Sequence, residues 1–144
     1  MKSSRLYVVA GLGAIFGSGL RYFVNIALPH SVLVVDEGAH SGIQSGARIV
    51  GSHLDSFPWA TFAVNVIGAF LIGVCAFVPI IADYEFRRIF VITGMLGGFT
   101  TFSALALDAV TMANPLLAFF YVAATFAVGL FATHIGALLA RRSV

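Results

Sequence analysis

Gly94-Met95-Leu96-Gly97-Gly98-Phe99-Thr100-Thr101-Phe102-Ser103 lies near the middle of an apolar stretch long enough to cross a bilayer. Its three glycines and three small hydroxyl residues predict unwound backbone at membrane depth. Hydrocarbon offers no water to freed N–H and C=O groups, so irregular backbone persists there only when buried in protein or lining a cavity. The run therefore marks a candidate site inside a helix broken near its centre.

The surrounding sequence supports the membrane setting. Apolar residues make up 60% of the chain and charged residues 10%, against about 45–50% and about 25% in ordinary soluble domains. Four apolar stretches, at about residues 6–28, 57–82, 89–113 and 115–140, each reach the length a helix needs to span the bilayer. The expectation is an all-α membrane protein with four transmembrane helices, folded as one domain over residues 1–144. Lys2 and Arg5 ahead of an apolar run, followed by Gly17-Ser18-Gly19, imitate a secretory signal peptide. Apolar residues resume after Arg21 and continue through Leu28, which favours a retained helix. Cys75 is the only cysteine, so an internal disulfide is excluded and a cysteine-based metal site is not expected.

The net charge of +2 carries no nucleic-acid signal, because the basic residues sit at span ends rather than in an aromatic-interleaved patch. Their distribution is informative. With four spans, both termini share a side with the second loop, and that side holds Lys2, Arg5, Arg87, Arg88, Arg141 and Arg142. The other side holds Arg48. The positive-inside rule then puts both termini in the cytoplasm. The first loop, about residues 29–56, faces outward. Its His30, His40 and His53 are too far apart for a helical metal motif, and a surface loop is expected.

Polar residues inside the spans are few, and burial in a bilayer makes each of them informative. Arg21 either snorkels toward the interface or anchors another helix. Asn65, with apolar neighbours on both sides, makes an interhelical hydrogen bond or lines a pore. Asp108 falls about two turns beyond the break, where it approaches the outer interface or meets a cation. His134 is expected to bond a neighbouring carbonyl, and Gly68, Gly73, Gly129 and Gly136 to permit close helix packing. The sequence holds no Ser/His/Asp arrangement, paired carboxylate, phosphate loop or cluster of metal-binding side chains, so an enzyme is not expected. An interrupted membrane helix instead offers freed carbonyls to a hard cation and a half-helix N-terminus to an anion. Those are the parts of an ion-handling protein.

Several motifs extend this reading: Gly11-Leu12-Gly13-Ala14 and Gly19-Leu20-Arg21-Tyr22 in the first span, Pro58-Trp59-Ala60-Thr61-Phe62-Ala63-Val64-Asn65 leading to Gly68 and Gly73 in the second, and Thr93 to Ser103 in the third. In these the chain resembles the CrcB/Fluc family of fluoride channels, small four-helix membrane proteins that work as antiparallel dimers. The resemblance implies passive fluoride export across the cell membrane, protecting the cytoplasm. It implies a fluoride pathway with the Asn65 amide, the positively polarised ring edge of Phe102 and the hydroxyls of Thr101 and Ser103. It also implies a structural sodium ion, not transported, held at the dimer centre by backbone carbonyls at Gly97 and Thr100, an oxygen ligation that suits a hard cation. Arg21 and Asp108 match structural positions, Asp108 standing for a usual glutamate. The implied partners are fluoride, membrane lipid and a second, oppositely inserted subunit.

The departures from the family pattern matter as much. Where many members read Phe-Ser-Thr-Phe-Ser, this chain reads Phe102-Ser103-Ala104-Leu105-Ala106, so Leu105 replaces a pore phenylalanine. Phe126 and Leu130 stand at the match for two serines of a polar track. An antiparallel homodimer needs one sequence to insert both ways, whereas this one has six basic residues on one side and one on the other. One alternative is therefore a partner subunit of a heterodimeric fluoride channel with degenerate pore residues. A third class, the small multidrug-type proton-coupled exporter, requires an embedded acid in the first span, where this chain has Arg21 and no acid.

Overall fold

An apolar run free of proline carries α1 (Lys2–Ala27) without interruption. The computed structural model describes residues 2–27 and 57–142; the outward loop expected at about 29–56, with its three histidines and Arg48, lies outside the described residues. After Pro58 the chain enters α2 (Trp59–Cys75). The apolar stretch expected over 57–82 divides after Cys75, because Val78 is extended at φ −79° and ψ 114° ahead of Pro79. A proline disfavours helical backbone in the residue before it and pre-sets the first turn of the next helix. Pro79 thus opens the short α3 (Pro79–Ala82).

The third helical stretch is composite. Helix α4 (Glu85–Arg88) runs into a π-helical segment, Ile89–Leu96, and then into α5 (Gly97–Phe99). Thr100 and Thr101 are extended, and α6 (Phe102–Thr111) starts beyond them. The break expected from the glycine and hydroxyl run is therefore present, confined to two residues. Asn114 then accepts the amides of Leu116 and Leu117 at 3.0 and 3.2 Å, capping α7 (Pro115–Arg142).

The described residues are helical throughout and contain no strand. Three stretches, Ser4–Ala27, Glu85–Thr111 and Pro115–Arg142, are long and apolar enough to cross a membrane. Helix α2 is also apolar but shorter, at 17 residues. Ile15, Phe23, Phe119, Leu130 and Phe131 all lie exposed on the outer surface, the reverse of a soluble domain. The fold is that of a membrane protein.

Packing joins α1 to the π-helical segment and α5, and α2 to α7. Both contacts are backbone against backbone. A Cβ placed on Gly13 or Gly17 would run into the carbonyls of Phe90 and Met95, and one on Gly94 or Gly98 would meet those of Ala10 and Ala14 at 2.5 and 2.7 Å. Gly73 and Gly136 do the same between α2 and α7, against the carbonyls of Thr133 and Phe70, whereas Gly129 has only an ordinary contact with Ala69. Close approach of this kind replaces the hydrophobic driving force that lipid cannot supply. At the end of the molecule carrying the 76–88 connector, the Arg141 guanidinium lies 4.1 Å from the centre of the Phe77 ring, and Arg87 4.6 Å from that of Tyr84. The first of these cation–π contacts ties the end of α7 to the turn after α2.

Candidate functional site

The break is built by Thr100 and Thr101 and braced by α2. Thr100 takes φ −72° and ψ 153°, and Thr101 φ −146° and ψ 117°, so one full peptide turns out of the helical path. Asn65 meets it with both ends of its amide. Its Oδ1 accepts the Thr101 N–H at 2.8 Å and its Nδ2 donates to the Thr101 carbonyl at 3.1 Å. The interhelical hydrogen bond that the sequence left open beside a pore role is thus present, and it is double.

Thr101 is buried and acts as the N-cap of α6, its Oγ1 accepting the Ala104 N–H at 3.2 Å. The same oxygen lies 3.2 Å from Ser103 Oγ, and Ser103 is exposed. Thr100 is fastened on the other side, its N–H and its Oγ1 both donating to the Leu96 carbonyl, at 3.0 and 3.1 Å.

These bonds have a consequence for the carbonyls. In a continuous α-helix the Gly97 carbonyl would accept from the Thr101 N–H, and that of Thr100 from the Ala104 N–H. Here the first of those amides donates to Asn65 and the second to the Thr101 hydroxyl. Gly97 and Thr100 are therefore among the residues whose carbonyls lose their ladder donors at the break. Among the described residues no group of three or more His, Cys, Asp or Glu side chains could hold a metal ion. The oxygen atoms at the break are neutral backbone and hydroxyl groups, a donor set of the kind hard cations take.

Asn65, Gly97, Thr100, Thr101 and Ser103 gather at the break, while the other expected residues fall around it. Phe102 opens α6 and is 71% exposed, presented away from its own chain. Leu105, one turn on, is 3% exposed and packed inside. Of the two positions that the sequence pattern pairs as aromatic, one is therefore exposed and the other buried within one subunit. Asp108 accepts a hydrogen bond from the Tyr121 hydroxyl at 3.2 Å, which joins α6 to α7. Arg21 is half-buried on α1, the helix packed along α5.

Sequence reasoning missed four polar residues. Tyr121 has no exposed surface and sits edge-on to Phe57 at 5.3 Å. Thr125 donates to the Tyr121 carbonyl at 2.8 Å, and Thr133 to the carbonyls of Ala69 and Gly129 at 3.0 Å. Together with Gly129 they form an i, i+4 row on the inner face of α7. Phe126 and Leu130, set against the polar track from the sequence, are one residue out of register with that row and point outward. A single residue is 100° on a helix, enough to exchange the two faces. The spacing of Tyr121, Thr125, Gly129 and Thr133 is the signal that locates the row. The fourth is Ser18, whose Oγ donates to the Gly98 carbonyl at 3.4 Å from α1.

Residues 8–137 match the family described as CrcB-like protein, Camphor Resistance (CrcB). A Helicobacter pylori protein named fluoride-specific ion channel FluC is 35% identical over 143 residues, covering 96% of this chain and 95% of the relative. A Rhizobium etli protein of the same name is 35% identical over 143 residues, with 95% and 97% covered. One from Rhizobium johnstonii, also of that name, is 40% identical over 109 residues, with 73% and 69% covered.

Proposed function

The chain belongs to the CrcB-like family, and from that premise we propose that it is a fluoride-specific channel through which fluoride leaves the cell passively, lowering its cytoplasmic concentration and toxicity. The observation that carries this reading is the nearly end-to-end match, over 96% of the chain, to a relative named for that activity. It is a channel and not an enzyme. The small multidrug-type exporter falls with family membership.

Fluoride is small and strongly hydrated, so a path for it must replace water with hydrogen-bond donors. Asn65 has two N–H groups, and bonding the Thr101 carbonyl commits one of them. The second donates to the ion. Ser103 offers its hydroxyl, supported from behind by Thr101, and the first turn of α6 adds unpaired amides and the positive end of a half-helix dipole. The ring edge of Phe102 completes the set. Leu105 contributes none.

A structural sodium ion fits the released carbonyls of Gly97 and Thr100, which are neutral oxygen acceptors without their ladder partners. Bound there, a cation satisfies two acceptors and adds fixed positive charge near the anion path. Asn65 and Thr101 serve that site indirectly, by taking the two amides that would otherwise occupy its oxygens.

Four spans in the cell membrane, both termini in the cytoplasm, surrounding lipid and an antiparallel dimer complete the reading. Helix α2, at 17 residues, extends about 25 Å and serves as the shortest span. The excess of basic residues at the termini and second loop supports the orientation. The exposure of Gly97 and Phe102 supports a second subunit, since each waits for a surface to cover it. Expression in a bacterium lacking its own fluoride exporter tests the function: growth in fluoride is restored, whereas continued sensitivity with the protein in the membrane would count against it.

A second reading is favoured by Leu105 together with the charge bias: the partner is a homologous, oppositely inserted chain that supplies the missing aromatic. Reporter fusions at the C-terminus decide it. A uniformly cytoplasmic C-terminus supports a hetero-pair, and a mixed population with substantial outward C-termini sinks it.

A further inference from the structure

We propose that Gly68 is a positioning residue that sets the depth of Thr100, and hence the placement of the Thr100 carbonyl at the break. Gly68 is buried and follows Asn65 by three residues, placing both on one face of α2. Asn65 fixes the far side of the break through Thr101, and Gly68 receives the near side. A Cβ built on Gly68 would collide with the Thr100 Cγ2 methyl and meet Phe99 Cδ1 at 3.2 Å. Among the described glycines with a close contact, it is the one whose nearest neighbour is a side chain; the others press on helix backbone.

Thr100 has no freedom to yield. Its Oγ1 and N–H are both tied to the Leu96 carbonyl, and a β-branched side chain has few χ1 alternatives. With Oγ1 held, Cγ2 is directed at Gly68. A methyl group at position 68 therefore moves Thr100 as a unit, carbonyl included. Because the collision is with one methyl, it has a specific remedy: serine at position 100 keeps the Oγ and the carbonyl and lacks Cγ2.

The role in ion binding rests on the sodium reading above, and the experiment separates the two. Thermal unfolding of the purified protein is followed while sodium replaces N-methylglucamine at constant ionic strength, alongside fluoride efflux from liposomes. Gly68→Ala should raise the sodium concentration for half-maximal stabilisation roughly tenfold, as expected for residues coupled by direct contact. Gly68→Ala with Thr100→Ser should return to the level of Thr100→Ser alone, measured as the reference for the pair, in both sodium response and efflux. A shift that Thr100→Ser does not reverse would make Gly68 an ordinary packing glycine and overturn the proposal, as would a Gly68→Ala protein with an unchanged sodium response. If Gly68→Ala fails to fold, recovery of a folded, sodium-responsive double variant supports the proposal and failure to recover overturns it. A wild-type protein indifferent to sodium would remove the sodium site, and the positioning role with it.

Discussion

Replacing Asn65 by leucine removes both partners of the Thr101 peptide in one step, while keeping a side chain branched at Cγ and raising helix propensity. The two lost bonds are those at 2.8 and 3.1 Å. Each buried backbone group left unpaired costs roughly 1–3 kcal/mol, and since Asn65 is only part-buried the sum should fall near the lower end, about 2–3 kcal/mol. Asn65→Asp is a comparable perturbation in stability and the harsher one in transport. Its carboxylate still accepts the Thr101 N–H but turns an oxygen toward the Thr101 carbonyl, a loss of about 1–3 kcal/mol. It also places an anion where fluoride must pass, so efflux should drop sharply. Unfolding in mixed micelles gives the stabilities, and a fluoride electrode outside loaded liposomes gives the efflux. An Asn65→Leu protein within about 0.5 kcal/mol of wild type, the range of an inconsequential surface change, would refute the brace. Unchanged efflux in a correctly folded Asn65→Asp protein would remove Asn65 from the pathway and leave it the brace alone.

Other perturbations reach the same site from different sides. Thr101→Val deletes the cap on Ala104 and the support of Ser103, and should cost about 0.5–2 kcal/mol by the same unfolding assay, with Thr101→Ser restoring most of it. Gly17→Ala drives a methyl into the Met95 carbonyl, backbone that cannot rotate away, so a loss of about 1–3 kcal/mol is expected in melting experiments; a neutral result would contradict the close contact between α1 and the third stretch. Leu105→Phe overpacks a buried position and should cost about 1–3 kcal/mol, yet raise fluoride efflux by the chain reconstituted alone. No gain in efflux from a folded Leu105→Phe protein would show that Leu105 is not the deficient position.

The helices and the break were legible because they depend on composition: apolar runs of spanning length, and a cluster of glycine and hydroxyl residues in the wrong solvent for unwound chain. The division of labour within the break was not. Thr101 and Ser103 look alike in sequence, but one caps α6 in the interior and the other lies exposed, a difference set by which way Thr101 turns out of the helix. Asn65 is a polar residue with two open roles in the sequence, and only the position of α2 beside Thr101 shows its Oδ1 and one of its N–H groups bonded there. The inner face of α7 was obscured because the helix is apolar nearly all round, which leaves no stripe to read. The end of α2 at Cys75 was hidden for a related reason, since hydropathy continues through the turn and Pro79 marks the boundary only once the extended Val78 is seen. The π-helical segment before Gly97 has no signal in residue type.

The most direct test of the account is fluoride efflux from liposomes reconstituted with this chain alone and then with a homologous, oppositely inserted chain. Fluoride release, without chloride release and without need of a proton gradient, is expected in at least the combined preparation. Fluoride retained in both preparations, with folded protein in the bilayer, would contradict it.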